Sequence, residues 1–335
     1  MVERILPDVY RIEIPLPGSP LKALNSYLIR GQDRSLLIDT GMNREECLRS
    51  MRSSLERLEV DLNETDFFIT HLHADHLGLV GNIAPETSNV YFSEKEAALT
   101  IQWSTMAEKR IQELFTYYLS HGFPEEELRE AVENHPGFRY RPKRLPEFCV
   151  MREGDTIAVG KYLFECIETP GHSPGHMCLY EATEKILVSG DHILYDITPN
   201  ITCWPNFENP LKEYLGSLEK IYGLDVNLVL PGHRSIMNDH KRRITELRDH
   251  HNKRLSEILS ALRQGDKTAW GVAPHMTWDI EADSWESFPA FQKWFALGET
   301  IAHLEYLHAE GMVRAKEEDK KTVYSLRSQA PQRHN

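Results

Sequence analysis

Short β-branched and aromatic runs alternate along this chain with stretches of helical spacing, the pattern of a mixed α/β fold. The N-terminal region predicts strands over residues 9–14, 25–29 and 35–39, with Gly31 at an intervening turn. Residues 43–58 read as a helix capped by Asn43, with Glu45 and Glu46 in the first turn, where the helix dipole favours acidic groups. Residues 66–70 have the length of a buried strand and residues 77–83 the spacing of a short helix. Between them stands Ile69-Thr70-His71-Leu72-His73-Ala74-Asp75-His76, where apolar sequence gives way to three histidines and an aspartate. Three later runs stop alike. Residues 164–170 lead into Gly171-His172-Ser173-Pro174-Gly175-His176, residues 186–190 into Asp191-His192, and residues 226–230 into Pro231-Gly232-His233. In each, an apolar strand meets a glycine and then a ligand-type side chain, which is how a sheet brings groups to one edge.

The residue types at these stops point to metal chemistry. Side chains of extended backbone alternate with period two, so His71 and His73 point the same way and can share one ion. Asp75 and His76 fall on the turn into the next helix and can serve a second ion nearby. Imidazoles and carboxylates suit zinc, iron or manganese, and a cluster without cysteine argues against a closed structural zinc site. A surface patch explains a lone histidine; four candidate ligands at one strand end go beyond it.

Taken in order, HLHADH, TPGHSPGH, SGDH and PGH resemble the metallo-β-lactamase-fold superfamily of hydrolases, over the chain up to His233. The resemblance implies that His71, His73 and His172 hold one divalent ion, that Asp75, His76 and His233 hold another, and that Asp191 bridges them. Zinc is the ion expected, with iron or manganese compatible. It also implies an αββα sandwich over residues 1–240, with a helical insert over residues 94–146. The reaction implied is hydrolysis of an ester, thioester or lactone of a small molecule by metal-activated water, with Asp75 handling the proton. Phosphodiester cleavage, as in endoribonuclease-like members, and iron-dependent oxygenase or redox chemistry are the alternatives within the same fold. Asp39 either orients a ligand, as its counterpart does in that family, or is a plain turn residue. His176, the second histidine of GHSPGH, is expected to be structural. Tyr195 is a candidate hydrogen-bond donor to an oxyanion. In the acyl-homoserine lactonases the helper tyrosine stands three residues after the bridging aspartate, and this chain has Leu194 there.

Composition narrows these options. The chain of 335 residues has room for one large domain and a small one. A net charge of -13 disfavours a phosphate-backbone surface, so no nucleic-acid partner is expected. The five cysteines show no paired spacing and read as reduced thiols of a cytoplasmic protein, and no run approaches the length of a membrane span. Residues 94–135 are charged and helical, interrupted at Gly122-Phe123-Pro124. Their apolar face, Trp103, Met106, Ile111, Leu114, Phe115, Tyr118 and Leu119, is either a satellite core or a lid.

Residues 241–335 read as a second domain. A long charged helix precedes an amphipathic one over residues 298–307, and strands over 312–315 and 322–326 flank the loop KEEDKK. This arrangement resembles the winged-helix domain of one branch of the superfamily. Glu299, Glu305 and Glu310 on its candidate recognition helix would repel phosphates. The module is therefore read as a packing or dimerisation surface, and a homodimer is one arrangement it allows. Residues 329–335 are expected to be disordered.

Overall fold

The computed structural model describes residues 1–204, 206–280 and 282–327; the segment expected to be disordered, 329–335, lies outside them. Two compact units result. The first comprises residues 1–107, 135–199 and 213–245; the second comprises 108–134, 200–212 and the described residues from 246 onward. The helical segment expected as an insert in the catalytic domain is thus divided, its residues 108–134 grouping with the C-terminal part.

The first unit is built on two sheets. Strands β1 (Val2–Leu6), β2 (Val9–Pro15), β3 (Ala23–Ile29), β4 (Ser35–Ile38), β5 (Thr65–Phe68), β6 (Val90–Ser93) and β7 (Phe148–Met151) lie side by side in that order. They are antiparallel as far as β4 and parallel beyond it. In the second sheet, β8 (Thr156–Val159), β9 (Tyr162–Glu168), β10 (Met177–Glu181), β11 (Ile186–Gly190) and β12 (Leu228–Pro231) follow the order β12-β11-β10-β9-β8, with only β11 and β12 parallel.

Strict alternation sorts the side chains into layers. Tyr27, Ile29, Leu36, Ile38 and Phe68 of the first sheet face Phe164, Cys166, Leu179, Val188 and Leu230 of the second. The intervening Leu28, Leu37 and Phe67 turn the other way and pack on Cys47, Met51 and Leu55 of the helix Glu45–Arg57. On the far side of the second sheet, the helix Pro210–Tyr222 ties to the strand ends: Tyr214 Oη donates to His192 O at 2.9 Å and Ser217 Oγ to Pro170 O at 2.8 Å. The result is an αββα sandwich. Each buried aliphatic or aromatic side chain contributes roughly 1.5–3 kcal/mol, and a one-residue slip of any central strand would turn its core face outward.

Local departures from expectation have local causes. The helix expected from Asn43 begins at Glu45 after Arg44, with no side-chain cap, and the Asn43 side chain donates to Arg141 O at 3.1 Å. The helix expected over 77–83 is two single turns, Ala74–Leu77 and Val80–Ile83. They part at Gly78, where a Cβ would stand 2.7 Å from Gly41 O and 2.6 Å from Asn43 N.

In the second unit, β13 (Lys267–Thr268), β15 (Lys321–Leu326) and β14 (Val313–Glu318) form a small antiparallel sheet in that spatial order. The strands continue through most of KEEDKK. Only Asp319 and Lys320 turn, both with positive φ, as a two-residue type I′ hairpin requires. The helix expected over 298–307 runs from Ala290 to Ala309 and is buried on most sides rather than amphipathic. Trp294 stacks on Tyr118 at 4.1 Å, and Glu299, expected on the surface, pairs with Arg254 at 3.0 Å. Among the described residues no helix is long and apolar enough to cross a membrane.

Candidate metal centre

Four strand ends deliver the site. β5 runs out through Ile69 and Thr70 to His71, β9 through Thr169-Pro170-Gly171 to His172, β11 ends at Gly190 before Asp191, and β12 ends at Pro231 before Gly232 and His233. All seven expected ligands, His71, His73, Asp75, His76, His172, Asp191 and His233, are brought together in the first unit. The ligating atoms of His71, His73 and His172 lie within 4.8 Å of one another, and so do those of Asp75, His76 and His233, and of His71, His76 and Asp191.

Distances within the first trio fit a common ion. His73 Nδ1 stands 3.0 Å from His71 Nε2 and 3.0 Å from His172 Nε2. Nitrogens on a tetrahedral zinc with bonds of about 2.0–2.1 Å stand roughly 3.3 Å apart. The other group converges similarly. His76 Nε2 is 3.4 Å from Asp191 Oδ1, while His233 Nε2 is 3.3 Å from Asp75 Oδ2 and 3.4 Å from Asp191 Oδ2. His76 Nε2, His233 Nε2 and Asp191 Oδ1 are buried without a hydrogen bond, the condition of polar atoms awaiting a cation. Asp191 Oδ2 is also 3.7 Å from His172 Nε2, so this carboxylate borders both groups.

The surrounding chain orients several of these candidate ligands. Asp39, in left-handed backbone with φ of 56°, accepts from Thr70 N at 2.9 Å and Thr70 Oγ1 at 2.8 Å, and its Oδ2 is 2.7 Å from His76 Nδ1. Of the two readings of Asp39, the supporting one is what this geometry matches. His233 Nδ1 donates to Ala23 O at 2.7 Å, and Asn25 holds the same loop through Pro231 O and Arg234 O at 3.0 and 2.8 Å. His176 is structural in a specific sense: its Nε2 accepts the amide of Asp191 at 3.1 Å and its Nδ1 is 2.7 Å from Thr169 Oγ1. Gly232 is required by close approach, since a Cβ there would stand 2.5 Å from Asp191 Oδ1 and 2.8 Å from His76 Cε1.

Electrostatics separate the two groups. Burial, aided by neighbouring imidazoles, holds His71 well below its ordinary pKa and His73 down to about 3, so both are neutral and ready to ligate. Burial would lower His76 and His233 too, but Asp39 and Asp191 hold His76 well above its usual value, and Asp191 and Asp75 push His233 up to about 10. Burial works against the ionised form of Asp75, yet the close approach of the His233 imidazole and the nearby imidazolium charges bring it down to about 2.

Residues 21–233 match the description Metallo-beta-lactamase superfamily, and residues 255–327 match Metallo-beta-lactamase-like, C-terminal domain. The chain belongs to the metallo-beta-lactamase superfamily. This hydrolase is 31% identical to a metallo-beta-lactamase family protein of Thermus thermophilus, with a TM-score of 0.82 over 97% of this chain and 100% of that one. It is 27% identical to the probable metallo-hydrolase YqjP of Bacillus subtilis over 95% of this chain and 97% of that protein. It is 29% identical to the acyl-coenzyme A thioesterase MBLAC2 of Bos taurus over 62% of this chain and 72% of that enzyme.

Tyr195 and Glu96 lie outside this group of seven side chains. Tyr195 is 43% exposed and lines an open groove of about 260 Å³ with Ile236, Met237, Asn238, Asp239, Arg242 and Arg243. Arg243 fixes that loop, donating from Nε to Leu194 O at 2.7 Å and from Nη2 to Ile197 O at 2.8 Å. Glu96 was hidden behind a capping signal. Ser93-Glu94-Lys95-Glu96 reads as a capping box, and Ser93 does accept from Glu96 N at 3.3 Å, but the Glu96 carboxylate turns to the ligand loops. In the second unit His250, His251 and Glu299 also lie within ligating distance of one another. Their centre is already taken: Arg254 Nε is 2.8 Å from His250 Nε2 and 3.0 Å from Glu299 Oε1.

Proposed function

We propose that this chain is a dinuclear metal-dependent hydrolase of small-molecule thioesters, with zinc as its native ion. The observation that carries the reading is the convergence of seven side chains in two groups that meet at Asp191. His71, His73 and His172 would hold one ion, Asp75, His76 and His233 the other, with Asp191 between them. Ions bound there supply an acidified water and polarise a carbonyl. The residues do the rest. Asp39 and Ala23 O hold His76 and His233 by Nδ1, leaving Nε2 of each for ligation. Water adds to the thioester carbonyl carbon, the C–S bond breaks, and the proton lost by the water passes through Asp75 to the departing sulfur, giving a carboxylic acid and a thiol.

Three further points support a thioester. A relative covering most of its own length is named an acyl-coenzyme A thioesterase. The net charge of -13 opposes binding along a nucleic-acid backbone, which leaves a small-molecule acyl compound. Five unpaired cysteines suit the reducing, cytoplasmic compartment in which such carriers are used. The groove beside Tyr195 and Arg242 offers an aromatic face and a cation to the carrier end of the substrate, a binding role for Tyr195 in place of oxyanion contact.

Elemental analysis of protein purified without added metal, followed by assay against acyl-coenzyme A thioesters, lactones and bis-p-nitrophenyl phosphate, tests the proposal. Two zinc ions per chain with thioester turnover are expected. Phosphodiester turnover alone would replace the reading with a nuclease, and a single iron with no hydrolysis would replace it with redox chemistry.

A further inference from the structure

Glu96 sits in the first turn of the helix Glu94–Thr105 with no exposed surface. Its two carboxylate oxygens accept from different loops. Oε2 takes the backbone amide of Leu72 at 2.7 Å, and Oε1 takes Ser173 Oγ at 2.9 Å and the amide of Gly175 at 2.6 Å. Leu72 lies between His71 and His73, and Ser173 follows His172. Every histidine of one trio is therefore covalently next to a residue that this carboxylate grips. The contact is close as well as polar: Ser93 Oγ donates to Gly175 O at 2.6 Å, and a Cβ on Gly175 would stand 2.7 Å from Lys95 Cβ and from Ser93 Oγ. Burial of a carboxylate is costly unless its acceptor sites are filled, and here three donors fill them.

We infer that Glu96 is a positioning residue that clamps the loop of His71 and His73 to the loop of His172, setting the affinity of that one metal position. It stands to the first trio as Asp39 stands to His76, but it works through two backbone amides and a hydroxyl of the loops rather than through a histidine ring. The inference rests on the metal assignment proposed above. A glutamine at this position can still accept on one side but presents an NH2 to donors on the other, so one loop is released while the helix cap at Ser93 is kept.

Zinc affinities of the full chain and of Glu96→Gln, measured by competition with a chromophoric chelator, test it. The wild type is expected to take up two ions. Glu96→Gln is expected to lose affinity by ~10–100-fold at one position, with the other unchanged, and a Glu96→Gln/Asp39→Asn double variant to lose it at both. Two wild-type affinities in Glu96→Gln, or equal weakening of both positions, would overturn the inference. Should Glu96→Gln not fold, Ser173→Ala removes one of the three bonds and is expected to weaken the same single position by a smaller factor; unchanged affinity there would overturn it. A wild-type chain that takes up no metal would overturn the proposed function and this inference together, whereas two ions in the wild type with an indifferent Glu96→Gln overturns the inference alone.

Discussion

Replacing Asp39 by asparagine isolates what a carboxylate does for the candidate histidine ligand it touches, His76. The position has φ of 56°, a region asparagine enters readily, so the backbone is not strained by the change. The side chain keeps its shape but loses its charge and half of its acceptors. It currently accepts from Thr70 N, Thr70 Oγ1 and His76 Nδ1, at 2.9, 2.8 and 2.7 Å. The amide can satisfy two of these at one oxygen while its NH2 opposes the third, leaving a buried donor unmatched at a cost of about 1–3 kcal/mol. The same change removes the negative charge behind the His76 ring, which holds that ring and its tautomer less firmly. Loss of a carboxylate behind a ligating histidine typically costs ~10–100-fold in metal affinity, about 1.4–2.7 kcal/mol. Chelator competition measures the affinity, and denaturant unfolding of the metal-free protein measures the stability. Asp39→Asn that binds both ions as the wild type does, whatever its stability, would refute the reasoning, since Asp39 would then hold only the Thr70 turn.

Metal uptake is expected to release protons. Asp39 and Asp191 hold His76 well above its usual pKa, and Asp191 and Asp75 bring His233 to about 10, so near pH 7 both rings are protonated before an ion arrives and must be neutral to ligate. Binding at that position should free about two protons and weaken as pH falls, roughly tenfold per proton for each pH unit; an unbuffered titration with no pH change would contradict this. Gly232→Ala places a methyl 2.5 Å from Asp191 Oδ1 and should cut turnover roughly 100-fold, with folding checked by circular dichroism; full activity would mean the loop shifts freely. Arg254→Met, in the second unit, strands the buried Glu299 carboxylate and should cost about 3–5 kcal/mol in urea unfolding. Arg254→Met/Glu299→Gln should recover part of that loss, and a double variant as unstable as the single would argue against a buried pair.

Much of the first unit was legible from residue order. Strand runs stopping at Thr70 or at a glycine, each followed by histidine or aspartate, located His71, His172, Asp191 and His233, because a parallel or hairpin sheet has few ways to end and all of them leave side chains at an edge. Period-two alternation puts Tyr27 and Ile29 on one face of their strand and Leu28 on the other, and packing decides which layer each face meets. The second unit was harder. The helix Ala290–Ala309 carries Lys293, Glu299 and His303 on faces that proved buried, and a periodicity argument puts such residues outside. They are buried because Glu127 lies against Lys293, Arg254 pairs with Glu299, and His251 Nδ1 stands 3.0 Å from His303 Nε2.

The chain by itself therefore determined the candidate ligand types, their order and the sheet edge that carries them, since each depends on neighbours a few residues away. Only the tertiary structure decided which side chains hold those candidate ligands in place. Asp39 reaches His76 across 37 positions, Glu96 reaches Gly175 across 79, and Asn25 reaches Arg234 across 209. A carboxylate or amide of this kind looks like any capping or turn residue in its own segment. Its role appears only when packing removes water from it and leaves one set of partners within hydrogen-bonding distance.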